Sequence, residues 1–217
     1  MKPGVLLLLT LLVTVTWAQE PVKQSAPETE PRVFNKVERV GDGFRTFFMF
    51  SAGEREYIIR ADGLAESRLG RARQQNFNLK TDRGHIEQVY FDEYGSDLLL
   101  LYEVSDKLNG WGYIGRLNQT KFKFKWLTPI SGFNLGPALV EGDDLYLTAV
   151  SRVAKLDLRS GAYAWQREDL HQKYAPSFQA FQAPWIKGDH VFFKEELAPF
   201  KTIEVDKLSG KIIDVFE

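Results

Sequence analysis

Cysteine is absent from this 217-residue chain, and the absence removes several classes of protein at once. No disulfide framework can staple the fold, no thiolate can hold a metal, and no cysteine nucleophile is available. A lipid-bearing N-terminal cysteine of the bacterial lipoprotein kind is excluded on the same ground. Histidine is scarce. His85, His171 and His190 are the full set, and none has a neighbour at the i, i+4 spacing a zinc site uses. They read as surface or turn residues. An excess of either charge is missing too. The formal net charge is -1, which gives no electrostatic reason to expect nucleic acid or an anionic membrane as partner. No G-x-S-x-G elbow and no P-loop occur. The sequence assigns no catalytic, metal-binding or cofactor-binding residue. The expectation is a protein that is not an enzyme and uses no cofactor.

What is present suits one globular domain: 44% hydrophobic residues, 26% charged residues and sixteen phenylalanines. Residues 1–18, MKPGVLLLLTLLVTVTWA, have the layout of a secretory signal peptide. Lys2 supplies the positive end, 5–15 form the apolar run, and Thr16 and Ala18 supply small residues before a cut. The run is short of the roughly 20 apolar residues of a membrane span, and no later segment reaches that length. Residues 19–31, QEPVKQSAPETEP, are too polar and proline-rich to offset the entropy of ordering, and read as a flexible tether. The domain is expected over 32–217. Its expected location is periplasmic or secreted, with no membrane span once the leader is removed.

Within the domain, 153–168 read VAKLDLRSGAYAWQRE. Two short strand-like runs flank a turn in which Asp157 can accept backbone N–H bonds and Gly161 can take a positive φ. Apolar residues do not recur at helical spacing, so a hairpin is predicted. A second hairpin precedes it, with its turn at Glu141-Gly142-Asp143-Asp144, so 131–168 encode four short strands. The same layout recurs. Residues 84–104 carry a turn at Gly95-Ser96-Asp97 and are followed by YIGRLNQTKFKFKW, where Asn118, Phe122 and Trp126 stand for Asp157, Gly161 and Trp165. Residues 181–193 carry Lys187-Gly188-Asp189 and are followed by TIEVDKLSGKIIDVF, with Asp206 and Gly210 in the turn, Asp214 at the tryptophan position and Phe216 two further on. A weaker copy opens the domain, with turns at Gly41-Asp42-Gly43 and Asp62-Gly63. The aspartates of the first hairpins, Asp42, Asp97, Asp143 and Asp189, lie 55, 46 and 46 residues apart. A period in the forties with four strands per unit predicts an all-β propeller of about four four-stranded blades. A generic antiparallel sandwich explains the strands but not the recurring phrase.

The stretch LDLRSGAYAW resembles the quinoprotein-type (PQQ-like) β-propeller repeat: a strand ending in Leu-Asp, a short turn with Gly, and a Trp four residues on. The resemblance is clear over 133–168, good over 84–126 and 178–217, and weak over 32–78. It implies that the outer-strand aromatics Trp126, Trp165 and Phe216 dock blade on blade, and that Asn118, Asp157, Gly161, Asp206 and Gly210 build the turns. Asp214 departs from the pattern, which implies a weakly docked last blade. Propellers of this family commonly have seven or eight blades. A closed ring of four, an open arc and half of a homo-oligomer therefore all remain open. Larger relatives include quinone-dependent dehydrogenases that need a full ring, a calcium ion and a disulfide-bearing site, and this chain departs from them on each count.

Three further patterns carry a bland reading. GWGYIG at 110–115 matches G-x-G-x-x-G, but an alternating strand follows where a nucleotide site needs a helix. Lys121, Lys123 and Lys125 alternate with Phe122, Phe124 and Trp126. Strand period is expected to put the lysines on one face and the aromatics on the other, as on a guarded edge rather than a nucleic-acid platform. The acidic turn 141–144 lacks the spaced oxygens of a calcium loop. Asn118-Gln119-Thr120 is a glycosylation sequon, meaningful only in a eukaryotic secretory pathway.

Two functions follow as expectations. One is an exported, non-catalytic propeller that binds or scaffolds a protein partner through inter-strand loops or a sheet edge. Small relatives of this repeat that assist outer-membrane protein assembly are the analogy the resemblance supplies. Loops 105–111 and 169–177 are the candidate contacts, with Trp111 and Tyr174 as aromatic anchors. The alternative is a small-ligand-binding or enzymatic propeller, in which polar side chains from different blades converge at the central axis.

Overall fold

The computed structural model describes residues 30–42, 45–70, 73–82, 84–106, 109–174 and 178–217. The leader and residues 19–29 of the tether lie outside the described residues. Three two-residue strands come first: β1 (Arg32–Val33), β2 (Asn35–Lys36) and β3 (Arg39–Val40). The first blade is β4 (Phe47–Ala52), β5 (Arg55–Arg60), β6 (Leu64–Leu69) and β7 (Arg73–Asn78). The second is β8 (His85–Tyr94), β9 (Asp97–Ser105), β10 (Gly110–Asn118) and β11 (Lys123–Ser131). The third is β12 (Leu139–Glu141), β13 (Asp144–Ala149), β14 (Arg152–Asp157) and β15 (Tyr163–Arg167). A short helix, α1 (Leu170–Tyr174), leads to the fourth: β16 (Trp185–Lys187), β17 (His190–Lys194), β18 (Thr202–Asp206) and β19 (Ile212–Phe216). Each blade is an antiparallel sheet whose strands follow chain order from the inside outward.

The blades start alike. Their first hairpins turn through Gly53, Gly95, Gly142 and Gly188, with φ between 56° and 61°. Two residues join the strands in each case, and the first takes the positive φ, the pattern of a type II′ turn. These glycines lie 42, 47 and 46 residues apart, so the repeat is more regular than the aspartate spacing implied. The expected turn at Asp42 belongs elsewhere. It joins β3 to β4, one strand ahead of the blade, and Gly53-Glu54 is the true equivalent. Aspartate was the misleading marker, because the type II′ turn needs only its glycine.

A sheet with two apolar faces must bury both, and the blades do so by stacking. One core cluster lies between the first and second blades (Phe48, Tyr57, Ile59, Val89, Tyr102, Tyr113), a second between the second and third (Tyr90, Leu99, Leu101, Leu145, Leu147, Leu156), and a third between the third and fourth (Tyr146, Val153, Val191, Phe193, Ile203). Among the described residues no core cluster and no hydrogen bond joins the first blade to the fourth.

The segment 32–40 laces the inner edges together. β1 pairs with β12 of the third blade, β2 with β8 of the second, and β3 with β4 of the first, always antiparallel. Phe34, 3% exposed, drops into the core between the second and third blades, and Val37 into that between the first and second. Arg32 grips Asp92 at 3.0 Å, and Arg39 grips Glu87 at 2.7 Å. Three blades thereby gain a fifth, innermost strand, and among the described residues the fourth gains none.

One expectation about faces fails. Phe124 packs into the core between the first and second blades, whereas Trp126 packs into the next one. A bulge between Arg116 and Leu117 inserts Lys125 opposite no residue, and the extra residue turns Trp126 to the other side of the sheet. The third and fourth blades carry a bulge at the matching place, between Lys155 and Leu156 and between Glu204 and Val205. The glycines of GWGYIG lie in β10, where a Cβ would strike Phe133, Leu135 and Phe124 at 2.6–2.8 Å. Close packing by the neighbouring strand β11 and the connector that follows it accounts for them.

Candidate interaction surface

The outer turns show how one blade receives the next. Asp157 Oδ1 accepts the backbone N–H groups of Arg159 at 2.9 Å and Ser160 at 2.7 Å, together with the Ser160 hydroxyl. The backbone N–H of Ser160 is the main cause that lowers the Asp157 pKa below the ordinary carboxylate value. Asp206 does the same for Ser209, and Asn118 Oδ1 accepts from Thr120 and Lys121. Each loop closes through an N–H to the first residue's carbonyl, from Gly161, Gly210 and Phe122.

Onto these turns the preceding blade lays an indole. A Cβ on Gly161 would lie 2.5 Å from the Trp126 ring, and one on Gly210 would lie 2.6 Å from Trp165. The Trp126 indole N–H donates to the Leu158 carbonyl at 3.1 Å, and that of Trp165 to the Lys207 carbonyl at 3.0 Å. A cation joins each indole at the same carbonyl: Arg116 donates to Leu158 at 3.2 Å and Lys155 to Lys207 at 3.3 Å. Each cation is held from behind by a carboxylate, Asp97 for Arg116 and Asp144 for Lys155, both at 2.6 Å. The first junction lacks this device. Phe77 of β7 meets Phe122, with ring centroids 6.0 Å apart, and Phe122 takes φ 51° where the other turns have glycine.

The fourth blade inverts the pattern on its outward side. Asp214 sits opposite Glu204, in the register where Trp126 opposes Arg116 and Trp165 opposes Lys155. Two donors have become two acceptors, and His190 stands in for the supporting aspartate, bonded to Glu204. Glu204 and Asp214 have no N–H to offer the carbonyl of a further turn. The blade is still held firmly on its inner side, because the indole on its Gly210 comes from Trp165. Weak docking of the last blade, expected from Asp214, is therefore corrected: the substitution falls on the free face.

Exposed apolar groups concentrate on that blade. Of eleven large hydrophobic residues exposed among the described ones, six are Trp185, Leu197, Phe200, Leu208, Ile213 and Phe216. Trp185 stacks on Phe192 with centroids 5.3 Å apart. Phe216, expected to dock, is 42% exposed at the outer edge. Along that edge runs a groove of about 550 Å³ lined by Tyr174, Lys173, Lys201 and β19. Tyr174 meets Phe178 edge-on at 6.5 Å. Trp111 lies in β10 and packs on the first junction core, with its indole N–H buried and without a hydrogen-bond partner.

The inner side carries a second recess, of about 450 Å³, where Lys36, Gln88, Tyr90, Asn134, Gln182 and Glu196 converge from the laced segment and several blades. Burial lifts the Tyr90 phenol to about 12, so it stays a neutral donor, here to the Leu135 carbonyl. Among the described residues no group of His, Asp and Glu is placed to hold a metal ion, and no helix is long and apolar enough to cross a membrane.

No protein-family model and no curated protein matches the chain. Solved structures do. BamB from Moraxella catarrhalis superposes with a TM-score of 0.52 at 16% identity, over 86% of this chain and 52% of that one. A europium-containing methanol dehydrogenase (TM-score 0.40, 12% identity, 58% of this chain and 23% of that one) and the WD40 domain of Toxoplasma gondii coronin (0.38, 11%, 86% and 63%) also match. The chain spans about half the length of BamB. The likeness to BamB shows a β-propeller fold.

Proposed function

We propose that this is an exported, non-catalytic propeller arc that binds a protein partner through its fourth blade. The observation that carries this reading is the concentration of exposed aromatic and aliphatic side chains on 185–216, in the blade whose outward docking donors have been replaced by acids. Scattered apolar residues are normal on a surface, but a cluster on one blade marks an interaction site. Tyr174, Phe200 and Phe216 are its aromatic anchors. The leader at 1–18 supports export, and the partner is sought in the periplasm or secretome. The test places a photo-crosslinking residue at Phe200 or Phe216 and, as control, at Met49 on the first blade. The same protein should be captured from both fourth-blade positions and not from Met49, and Phe200→Ser with Phe216→Ser should abolish its binding as a purified species. Equal capture from all three positions contradicts the reading.

The convergence of polar groups in the inner recess favours a second reading, a small-ligand site at the axis. Under it, Gln88→Ala and Gln182→Ala lower ligand affinity while partner capture by the fourth blade is unchanged.

A further inference from the structure

On three blades the innermost strand is not an edge. An extended segment, 32–40, adds a short antiparallel strand to β12, β8 and β4 in turn. On the fourth blade the equivalent strand, β16, ends its sheet among the described residues, and its Trp185 is 41% exposed. We infer that β16 is a strand-accepting edge, taking an extended segment of the protein partner as an added antiparallel strand. This inference rests on the proposed partner-binding role and names its chemistry.

Three observations support it. First, the molecule already uses this mode of pairing along the same inner surface, so the vacant edge continues an existing interface rather than beginning a new one. Unpaired backbone N–H and C=O groups on an exposed strand are a template for another chain, and main-chain bonds then supply affinity while side-chain pockets supply choice. Second, two of the three edge residues, Trp185 and Ile186, are apolar. The Trp185–Phe192 stack offers a flat platform to an apolar side chain of the incoming strand. Third, the platform is flanked by two cations. Lys187 is paired in register with His190, two residues from Trp185, and Lys194 lies two residues from Phe192 on the same face. Neither lysine makes an ion pair among the described residues, whereas Lys155, Lys173 and Lys207 are all paired with carboxylates. The segment that fits is extended, antiparallel, apolar at one position and acidic on either side of it.

The experiment uses the mature chain, labelled with ¹⁵N, and a capped peptide of alternating Glu and Val with one central Phe. Amide shifts should concentrate on Trp185–Lys187. Replacing Glu by Lys in the peptide should weaken binding at least tenfold, and so should Lys187→Glu with Lys194→Glu in the protein. N-methylation of alternate peptide amides removes the backbone donors without touching the protein, and should abolish binding. Shifts centred elsewhere, no binding at millimolar peptide, or indifference to N-methylation overturn the inference. So does protection of the outward β16 amides in the free chain, since the chain's own residues 19–29, or a second copy if the protection depends on concentration, would then hold the edge. The two proposals fail differently. A partner captured from Phe200 and Phe216 but leaving β16 amides unshifted refutes the strand-accepting edge alone, while no capture from the blade refutes the broader reading.

Discussion

The junction between the third and fourth blades and the free face of the fourth blade use the same two positions in opposite ways. Inside, Lys155 and Trp165 direct donors at the Lys207 carbonyl, and Gly210 leaves room for the indole. Outside, Glu204 and Asp214 occupy the positions of Lys155 and Trp165 and have no donor to offer. The backbone is the same down to the bulge. The difference teaches that a blade's shape does not make it dock. At the second and third junctions docking uses a bulky ring, a hydrogen-bond donor on that ring, and an empty Cβ position to receive it, whereas the first junction docks through the Phe77–Phe122 ring contact and the core beneath it. A sheet that keeps the shape but loses those groups becomes a surface for something else.

Breaking the comparison at its strongest point should have the largest effect. Trp165→Ala removes an almost fully buried ring and the Lys207 hydrogen bond, and should destabilise by about 3–5 kcal/mol in urea melts. The fourth blade should lose amide protection before the second. A double-mutant cycle sharpens the contrast at the first junction. Phe77→Trp with Phe122→Gly rebuilds the indole-on-glycine pair, and the two changes should couple favourably by about 1 kcal/mol or more. Asp157→Ala removes the acceptor that organises a receiving turn and should cost about 1–2 kcal/mol.

Acid tests the same turn. The folded pKa of Asp157 is lowered chiefly by the Ser160 N–H; that of Asp143 is lowered chiefly by the Tyr94 hydroxyl. Burial tends to raise that of Asp97, but Lys125 and Arg116 outweigh it and the net shift is downward. A lowered carboxylate contributes stability that is present above its unfolded value, about 3.9, and is lost as pH falls through the folded one. The contribution of these three carboxylates should therefore be constant above about pH 5 and be lost below about pH 4, and the acid loss should be less steep in Asp157→Ala. The smallest effect is expected outside. Asp214→Trp copies the interior residue onto a face with nothing to receive it, and should change stability by no more than about 0.5 kcal/mol.

Much of this architecture was legible from side chains that do one job. Asp157 and Gly161 bracket a turn wherever they occur at that spacing, so the third and fourth blades could be read directly, and Trp126 and Trp165 followed. In the first blade the aspartate pattern falls one strand out of step, since Gly53-Glu54 has no aspartate to announce it. The flip of Trp126 away from Phe124 was hidden because a bulge has no residue signature in KFKFKW. The laced segment was invisible for a different reason. Strands of two residues have no period, and RVFNKVER takes its shape from the edges it meets. The free face of the fourth blade was half visible: Asp214 stood out, but which side of the sheet it faced depended on the order of stacking.

The claim that an indole resting on a turn glycine holds the blades together is tested most directly by comparing two glycines of one blade. Gly142 and Gly161 both take positive φ, 59° and 74°, but a Cβ at Gly142 meets nothing within 4 Å, and one at Gly161 meets Trp126 at 2.5 Å. Urea unfolding of Gly142→Ala and Gly161→Ala, side by side, separates backbone strain from docking. The expected cost is about 1–2 kcal/mol for Gly142→Ala, from backbone strain alone, and at least about 1–3 kcal/mol more for Gly161→Ala, from the displaced ring. Equal costs would contradict the account.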